Sequence, residues 1–159
     1  MTVAPKNIQP LDDVDRILVR ELQENARITN AELAEIAGIA ASTCVTRVRN
    51  LLQNGVITGF FAEVSPKALG LELEVLISVT LRAGARANLS SFMTEMRAHP
   101  EVVQVFFLGG SEDFIVHLAV RDSDHVRDFV LENLSNNPVV ASTRTNMVFE
   151  HFHKGPQAD

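Results

Sequence analysis

The chain of 159 residues holds a single cysteine, Cys44, and that scarcity removes two classes of structure. No intrachain disulfide is available, and no thiolate zinc cluster can form. No apolar run approaches the roughly 18 residues that a membrane span needs. The opening, Met1 to Pro10, has neither the basic start nor the apolar core of a secretory signal. These shortages point to a cytoplasmic protein without a membrane partner. Positive charge is short as well: 14 Lys and Arg stand against 20 Asp and Glu, a net charge of −6. That balance argues against a general nucleic-acid coat. It leaves room for a sequence-specific DNA binder, which needs cations on one face and not a basic average. No Ser/His/Asp set, carboxylate pair or phosphate-binding loop stands out, so an enzyme is not expected.

What is present is an ordinary globular composition, 46% hydrophobic and 21% charged, enough for one or two small domains. Residues 1–10 carry two prolines and little pattern, and they suggest a flexible arm. A first helix is expected after Asp12, with Asp13 and Asp15 in its first turn and Val14, Ile17, Leu18 and Leu22 as its stripe. A second opens on a Thr29/Glu32 capping box with Ile28 and Leu33 as a hydrophobic staple, and closes at Gly38. A third spans about Ala41 to Asn54, with Cys44, Val48, Leu51 and Leu52 on one face and Gly55 at its end. Two short helices across a tight Gly38-Ile39-Ala40 turn make a helix-turn-helix. Val56 to Val64 has the alternation of a strand, punctuated by Gly59. Residues 65–70 then form a candidate hinge between a domain at 11–64 and another at 71–153, with 154–159 as a tail.

From Leu71 the period changes from helical to alternating. Leu73, Val75, Ile77, Val79 and Leu81 suggest a strand, and Gly84 to Ala87 a turn. Leu89, Phe92, Met93 and Met96 suggest a helix that stops before Pro100. Val102 to Leu108 is expected as a strand, Gly109-Gly110-Ser111 as a turn, and Phe114 to Val120 as a third strand. Ser123 is the expected cap of a helix carrying Val126, Phe129, Val130 and Leu134, and Val139 to His153 a long last strand. The order β-α-β-β-α-β is the ferredoxin-like plan, so the fold class is α+β: a winged helix-turn-helix domain, then a ferredoxin-like domain. Both helices fall on one sheet face. Leu76, Ser78, Thr80, Ile115, His117 and Ala119 are left on the other, a mixed surface too apolar to leave in water, so self-association is expected.

The run Leu11-Asp12-Asp13-Val14-Asp15-Arg16-Ile17-Leu18, followed by Leu22-Gln23-Glu24-Asn25-Ala26-Arg27, resembles the opening of the Lrp/AsnC (feast/famine) transcription regulators. Ala31-Glu32-Leu33-Ala34, Val48-Arg49-Asn50-Leu51 and Gly55-Val56-Ile57 continue the likeness, which covers about residues 11–153. The resemblance implies a DNA-binding regulator that assembles as dimers and often octamers, with a C-terminal half that senses an amino acid. Two positions depart from the family pattern. Ala40 stands where many relatives carry a serine cap, which leaves Ser42 as an alternative helix start. Glu112 stands where an aromatic residue is usual in the turn before the third strand.

The candidate DNA-binding residues are Ser42, Thr43, Thr46, Arg49 and Asn50 on the polar face of the third helix, with Arg47 on its flank. Arg can fork onto guanine, Asn onto adenine, and hydroxyls can reach phosphates or bases. The candidate effector residues are Gly110, Ser111, Glu112 and Asp113, where glycine backbone can offer N–H groups to a carboxylate and an acid can meet an ammonium. Thr143 and Thr145 resemble the family's Thr-Arg-Thr stretch and join this set. Cys44 falls in the core register of its helix, as inert packing. His151 and His153 share one strand face, but nothing completes a metal site with them or with His117. His99 and His125 are expected at the surface. No cofactor is expected beyond the amino acid. Two other functions compete: an architectural DNA binder of the same fold with no working effector site, and a small-molecule-binding or enzymatic protein whose N-terminal helices serve only assembly.

Overall fold

The computed structural model describes residues 10–152 and Gly155. The remainder of the expected arm and tail, and His153, lie outside the described residues. The chain divides into two compact units, one running to Ala62 and one spanning Glu63–Phe152.

In the first unit, α1 (Asp13–Glu24) begins where extended Asp12 turns its carboxylate onto the Asp15 N–H at 2.8 Å. The α2 helix (Asn30–Ile36) carries the full capping box. The Glu32 N–H donates to Thr29 Oγ1 at 3.2 Å, while the Thr29 N–H and hydroxyl donate to Glu32 Oε2 at 3.0 and 2.7 Å. Gly38, at φ 66°, lets the Ile39 N–H reach back to Ala34 C=O at 3.0 Å, which closes α2 and opens the turn. The α3 helix (Ala41–Gln53) ends in the same way: Gly55 sits at φ 75° and the Val56 N–H returns to Leu51 C=O at 2.9 Å. Leu18, Leu22, Leu33, Ala34, Cys44 and Leu51 form the buried seam of the three helices.

Three local expectations change here. Ala40 remains the N-cap of α3 without a side-chain hydrogen bond, so Ser42 does not take over the start. Leu52, placed on the buried face by its spacing, is exposed, because the seam narrows to Cys44 and Leu51 with Val48 half-buried. Val56–Val64 is not a strand. Its alternation is real, but a strand needs a neighbouring backbone, and none of the described residues ladders with it; Phe61 stands 82% exposed.

The second unit begins with one turn of 3₁₀ helix, Pro66–Leu69. The elements β1 (Leu73–Leu81), α4 (Leu89–Ala98), β2 (Val102–Phe107), β3 (Phe114–Val120), α5 (Ser123–Phe129) and β4 (Val140–Val148) then follow. The four strands form one antiparallel sheet in the order β2-β3-β1-β4. This is the ferredoxin-like plan. The inner rows Val75, Ile77, Val79, Leu81 and Phe114, Val116, Leu118, Val120 pack beneath Phe92 and Met96 of α4, Phe129 of α5, and Leu134. The Phe92 and Phe114 rings lie 4.9 Å apart.

Asp122, not Ser123, caps α5 by accepting from the His125 N–H at 2.8 Å. After Phe129 the helix widens, and the Asn136 N–H reaches Leu131 C=O at 3.3 Å. The last strand stops at Val148 and does not run to His153. Its partner β1 supplies Glu74 opposite Val148 and only Leu73 beyond, so Phe149 continues without a ladder, 95% exposed. His151 is therefore off the strand. His99 and His125 are half-buried: His99 packs edge-on to Phe129 at 5.3 Å, and His125 Nε2 lies 3.3 Å from Glu101 Oε1.

The capping box makes α2 pH-sensitive. The Thr29 side-chain and backbone hydrogen bonds hold the Glu32 carboxyl below its ordinary value of 4.5. A depressed folded value means that the stabilisation is complete above the unfolded value and is lost as pH falls through the folded one. Glu32→Gln keeps a hydrogen-bonding side chain but no charge. The Tm difference between wild type and this variant should be widest near neutrality and close as pH falls below about 4.5, the unfolded-state value; a pH-independent difference in thermal melts would contradict this.

Candidate functional site

Helix α3 turns about 100° per residue, so Cys44 and Leu51, which are buried, fix where every other side chain points. Ser42, Thr46, Arg49 and Gln53 run along the side opposite the seam, and all four are exposed. Thr43 and Asn50 are exposed on one flank, Val45 and Leu52 on the other. Thr46 donates its hydroxyl to Ser42 C=O at 3.0 Å and keeps its lone pairs for an outside donor. Residue type alone does not mark Gln53 as a contact. The signal was its register, eleven residues after Ser42 and so on the same face.

Arg47 behaves differently from Arg49. Its Nη1 lies 2.8 Å from Asp12 Oδ2 and 2.8 Å from Asp15 Oδ1, with the side chain 31% exposed. The backbone hydrogen bond from Asp15 and then the Arg47 guanidinium hold the Asp12 carboxyl below its usual range. The two acids in turn raise Arg47 above the usual arginine value. The same flank, with Asp15, Asn50 and Asn54, lines a cleft of about 220 Å³ beside Pro10, Leu11 and Val56. Arg49 makes no ion pair among the described residues, which leaves it as the available cation of α3. Cys44 is inert packing: burial raises its thiol.

In the second unit the turn between β2 and β3 is pinned from both ends. The Leu108 N–H donates to Asp113 C=O at 2.8 Å, and the Asp113 N–H donates to Val79 C=O at 3.0 Å. The pairing of β1 with β4 slips between Thr80 and Leu81, and the Leu81 N–H donates to Asp113 Oδ2 at 2.7 Å. One carboxylate oxygen of Asp113 therefore holds the sheet end, a role that the sequence pattern did not reveal. Gly109 and Gly110 have ordinary φ values, and a Cβ on either would meet open space. Nothing among the described residues requires glycine at these two positions.

Glu112 accepts from the Ser111 hydroxyl at 2.6 Å and lies 3.8 Å from Arg144. Arg144 faces the open side of the sheet beside Ser78, whereas Thr143 and Thr145 pair with Val79 and Ile77 on the helix-covered side. Phe114, Val79 and Thr143 stand abreast on three strands, so two strand spacings, about 10 Å, separate the β3 end from Thr143. Within this chain, then, the β4 residue that approaches the turn is Arg144, and the two threonines stand apart from it.

On the open face His117, only 7% exposed, places Nε2 2.7 Å from Glu74 Oε2, and His151 Nδ1 lies 3.5 Å from the same oxygen. Among the described residues no group of three His, Cys, Asp or Glu side chains is placed to hold a metal ion.

A family model described as the Lrp/AsnC ligand binding domain matches residues 74–158, and one described as winged helix-turn-helix DNA-binding matches residues 11–58. The chain is 47% identical over 151 residues to the HTH-type transcriptional regulator AldR of Mycolicibacterium smegmatis, covering 94% of this chain and 88% of that protein. It is 45% identical to AldR of Mycobacterium tuberculosis, covering 92% and 83%. A crystal structure of a transcriptional regulator from Neisseria meningitidis in complex with L-Met matches with a TM-score of 0.83 at 30% identity, covering 91% of this chain and 94% of that one. With a helix-turn-helix unit followed by a ferredoxin-like one, and relatives matched along nearly the whole chain, this protein belongs to the Lrp/AsnC family of helix-turn-helix transcriptional regulators.

Proposed function

We propose that this regulator works in the cytoplasm as a homodimer or larger assembly, reads double-stranded DNA through the outward row of α3, and responds to an amino acid held at the turn between β2 and β3. The observation that carries the DNA reading is the row itself. A rigid helix, closed at both ends of its turn, presents Ser42, Thr46, Arg49 and Gln53 on one line, with Thr43 and Asn50 beside it. Those side chains supply a cation, two amides and three hydroxyls, the groups that contact phosphates and base edges. Arg49→Ala should lower the slope of log affinity against log salt by about one if Arg49 meets a phosphate. If it forks onto guanine, discrimination between sequences should fall by about 1–3 kcal/mol instead. The duplex upstream of the protein's own gene is a suitable target. Wild-type affinity, slope and discrimination in Arg49→Ala would contradict this use of α3.

Assembly follows from the uncovered sheet face. Leu76, Ser78 and Ile115, half-buried in the single chain, share it with Phe106, which is exposed, and a second copy of the face is its natural cover; Ala119 on the same face is already buried. Leu76→Glu with Ile115→Glu should dissociate the full-length protein, because each buries an unpaired charge in any such interface. Sedimentation showing an unchanged assembly would place the contact elsewhere.

For the effector, the support is threefold: the ligand-binding family model over this unit, the L-Met complex of the Neisseria relative, and the open space at Gly109 and Gly110. A free amino acid presents a carboxylate and an ammonium on one carbon, and a site must satisfy both. Glycine backbone N–H groups suit the first. The Asp113 oxygen not engaged by Leu81 suits the second, and Ser111 and Glu112 lie beside it. Thr143 and Thr145 enter this site only if a second copy brings them to the turn. Asp113→Asn retains an acceptor for the Leu81 N–H while removing the charge. Its amino-acid affinity should fall about 10- to 100-fold, the equivalent of roughly 1.5–3 kcal/mol for a hydrogen bond to a charged group. Calorimetry across the amino acids tests this. Binding of no amino acid by the wild type would favour the architectural reading, to which the Glu112–Arg144 pairing at 3.8 Å also lends weight.

A further inference from the structure

The third helix carries two arginines with opposite surroundings. Arg49 faces outward without an ion partner among the described residues. Arg47, two residues earlier and about 200° round the helix, is turned onto the start of α1. We propose that Arg47 is a positioning residue for DNA binding and not a DNA contact. It clamps α3 to the first turn of α1 and neutralises carboxylates that would otherwise oppose the phosphate backbone. The proposal rests on the use of α3 argued above and revises the expectation that Arg47 lies on the contact face.

Three observations carry it. First, one guanidinium nitrogen bridges two carboxylates at 2.8 Å each, and both carboxylates are themselves fixed. Asp12 uses its other oxygen to cap α1 through the Asp15 N–H, and Asp15 belongs to the first turn that this cap starts. The clamp therefore joins α3 to a rigid point of α1 and not to a mobile side chain. Second, the two helices otherwise meet through shape-tolerant apolar contacts: Leu18, Leu22, Cys44 and Leu51, with Leu11, Val14 and Val48 at the edge. Such contacts hold helices together, but they define rotation about the helix axis less sharply than paired charges of fixed direction. Rotation is what DNA docking reads, since it decides whether Arg49 and Gln53 face the groove. Third, the charge around α3 is unfavourable for DNA without this clamp. Asp12, Asp13 and Asp15 cluster at the start of α1, and Arg47 is the cation that the structure sets against two of them.

The test compares three variants by thermal melting and by the salt dependence of binding to calf-thymus duplex. Arg47→Met keeps the apolar stem and removes the charge. Exchange of Arg47→Asp with Asp15→Arg restores an ion pair of reversed direction at unchanged net charge. Arg49→Ala serves as the contact control. Arg47→Met should lower Tm and weaken binding about 10-fold, the equivalent of about 1.4 kcal/mol, with the salt slope changed by less than the one unit of a phosphate contact. The exchange should recover part of that affinity through the pair with position 15, although Asp12 loses its cation and none remains at position 47. Arg49→Ala should weaken binding, with a loss of about one unit of slope if Arg49 meets a phosphate. A loss of slope in Arg47→Met at unchanged Tm would make Arg47 a direct contact and overturn the proposal. A folded exchange variant no tighter than Arg47→Met would overturn it too. Wild-type affinity together with an unchanged slope in Arg49→Ala refutes the docking face instead, so the two failures are read from different proteins.

Discussion

The second unit depends on β1 being paired on both sides. Its inner row, Val75, Ile77 and Val79, is almost fully buried, and its two edges fix β3 and β4 in register. Everything of chemical interest in this unit is set by that register. Val79 C=O and Leu81 N–H hold Asp113 from the β1 side. Glu74, at the other end, faces Ala119 on one neighbour and Val148 on the other, and from there it reaches His117 and His151. Ser78 lies opposite Arg144, which brings that guanidinium within 3.8 Å of Glu112. A one-residue slip of β4 would turn Arg144 into the helix layer and the threonines onto the open face. On the β3 edge of β1, one step past the last pair Val79 and Phe114, Asp113 takes up the Leu81 N–H, while on the opposite edge the pairing with β4 slips between Thr80 and Leu81.

The elements that were legible in the sequence are those whose cause is local. Thr29 and Glu32 announce α2 because the capping box is complete within four residues. Gly38 and Gly55 announce helix ends because each turn needs a positive φ, at 66° and 75°. The alternation from Leu73 to Leu81 announces β1 because one face of it is core. The failures share a different cause, which is a requirement for a partner. Val56–Val64 and the run after Val148 alternate convincingly, yet a strand exists only where another backbone lies beside it. The expectation that His151 lies on a strand face fails for the same reason.

The site residues divide along the same line. The outward face of α3 was legible because burial of Cys44 and Leu51 determines it. Gln53 is marked by register and not by residue type, eleven residues after Ser42 on the same face. Arg47 was not legible as an ion-pair donor, since its partners lie 35 and 32 residues away and nothing in the helical pattern joins them. Asp113 presents the same difficulty: a lone acid after a glycine turn suggests a ligand, while its contact with Leu81 is a consequence of sheet register.

The charge balance constrains how two such units can act together. The first 65 residues carry Lys6, Arg16, Arg20, Arg27, Arg47 and Arg49 against eight acids. With Arg47 held by Asp12 and Asp15, few cations remain to release counterions from DNA, and a single copy must bind weakly. In the assembly proposed above, affinity would come from joining copies, so that the second contact is made at the effective concentration set by the first. In that assembly, geometry between copies would control DNA affinity without any change at α3 itself. A ligand in the sheet unit needs only to favour one arrangement of copies over another. By linkage, DNA that selects that arrangement must strengthen ligand binding by the same factor. An acidic DNA-binding unit is therefore suited to regulation through assembly: the weakness of each contact is what makes the spacing between contacts decisive.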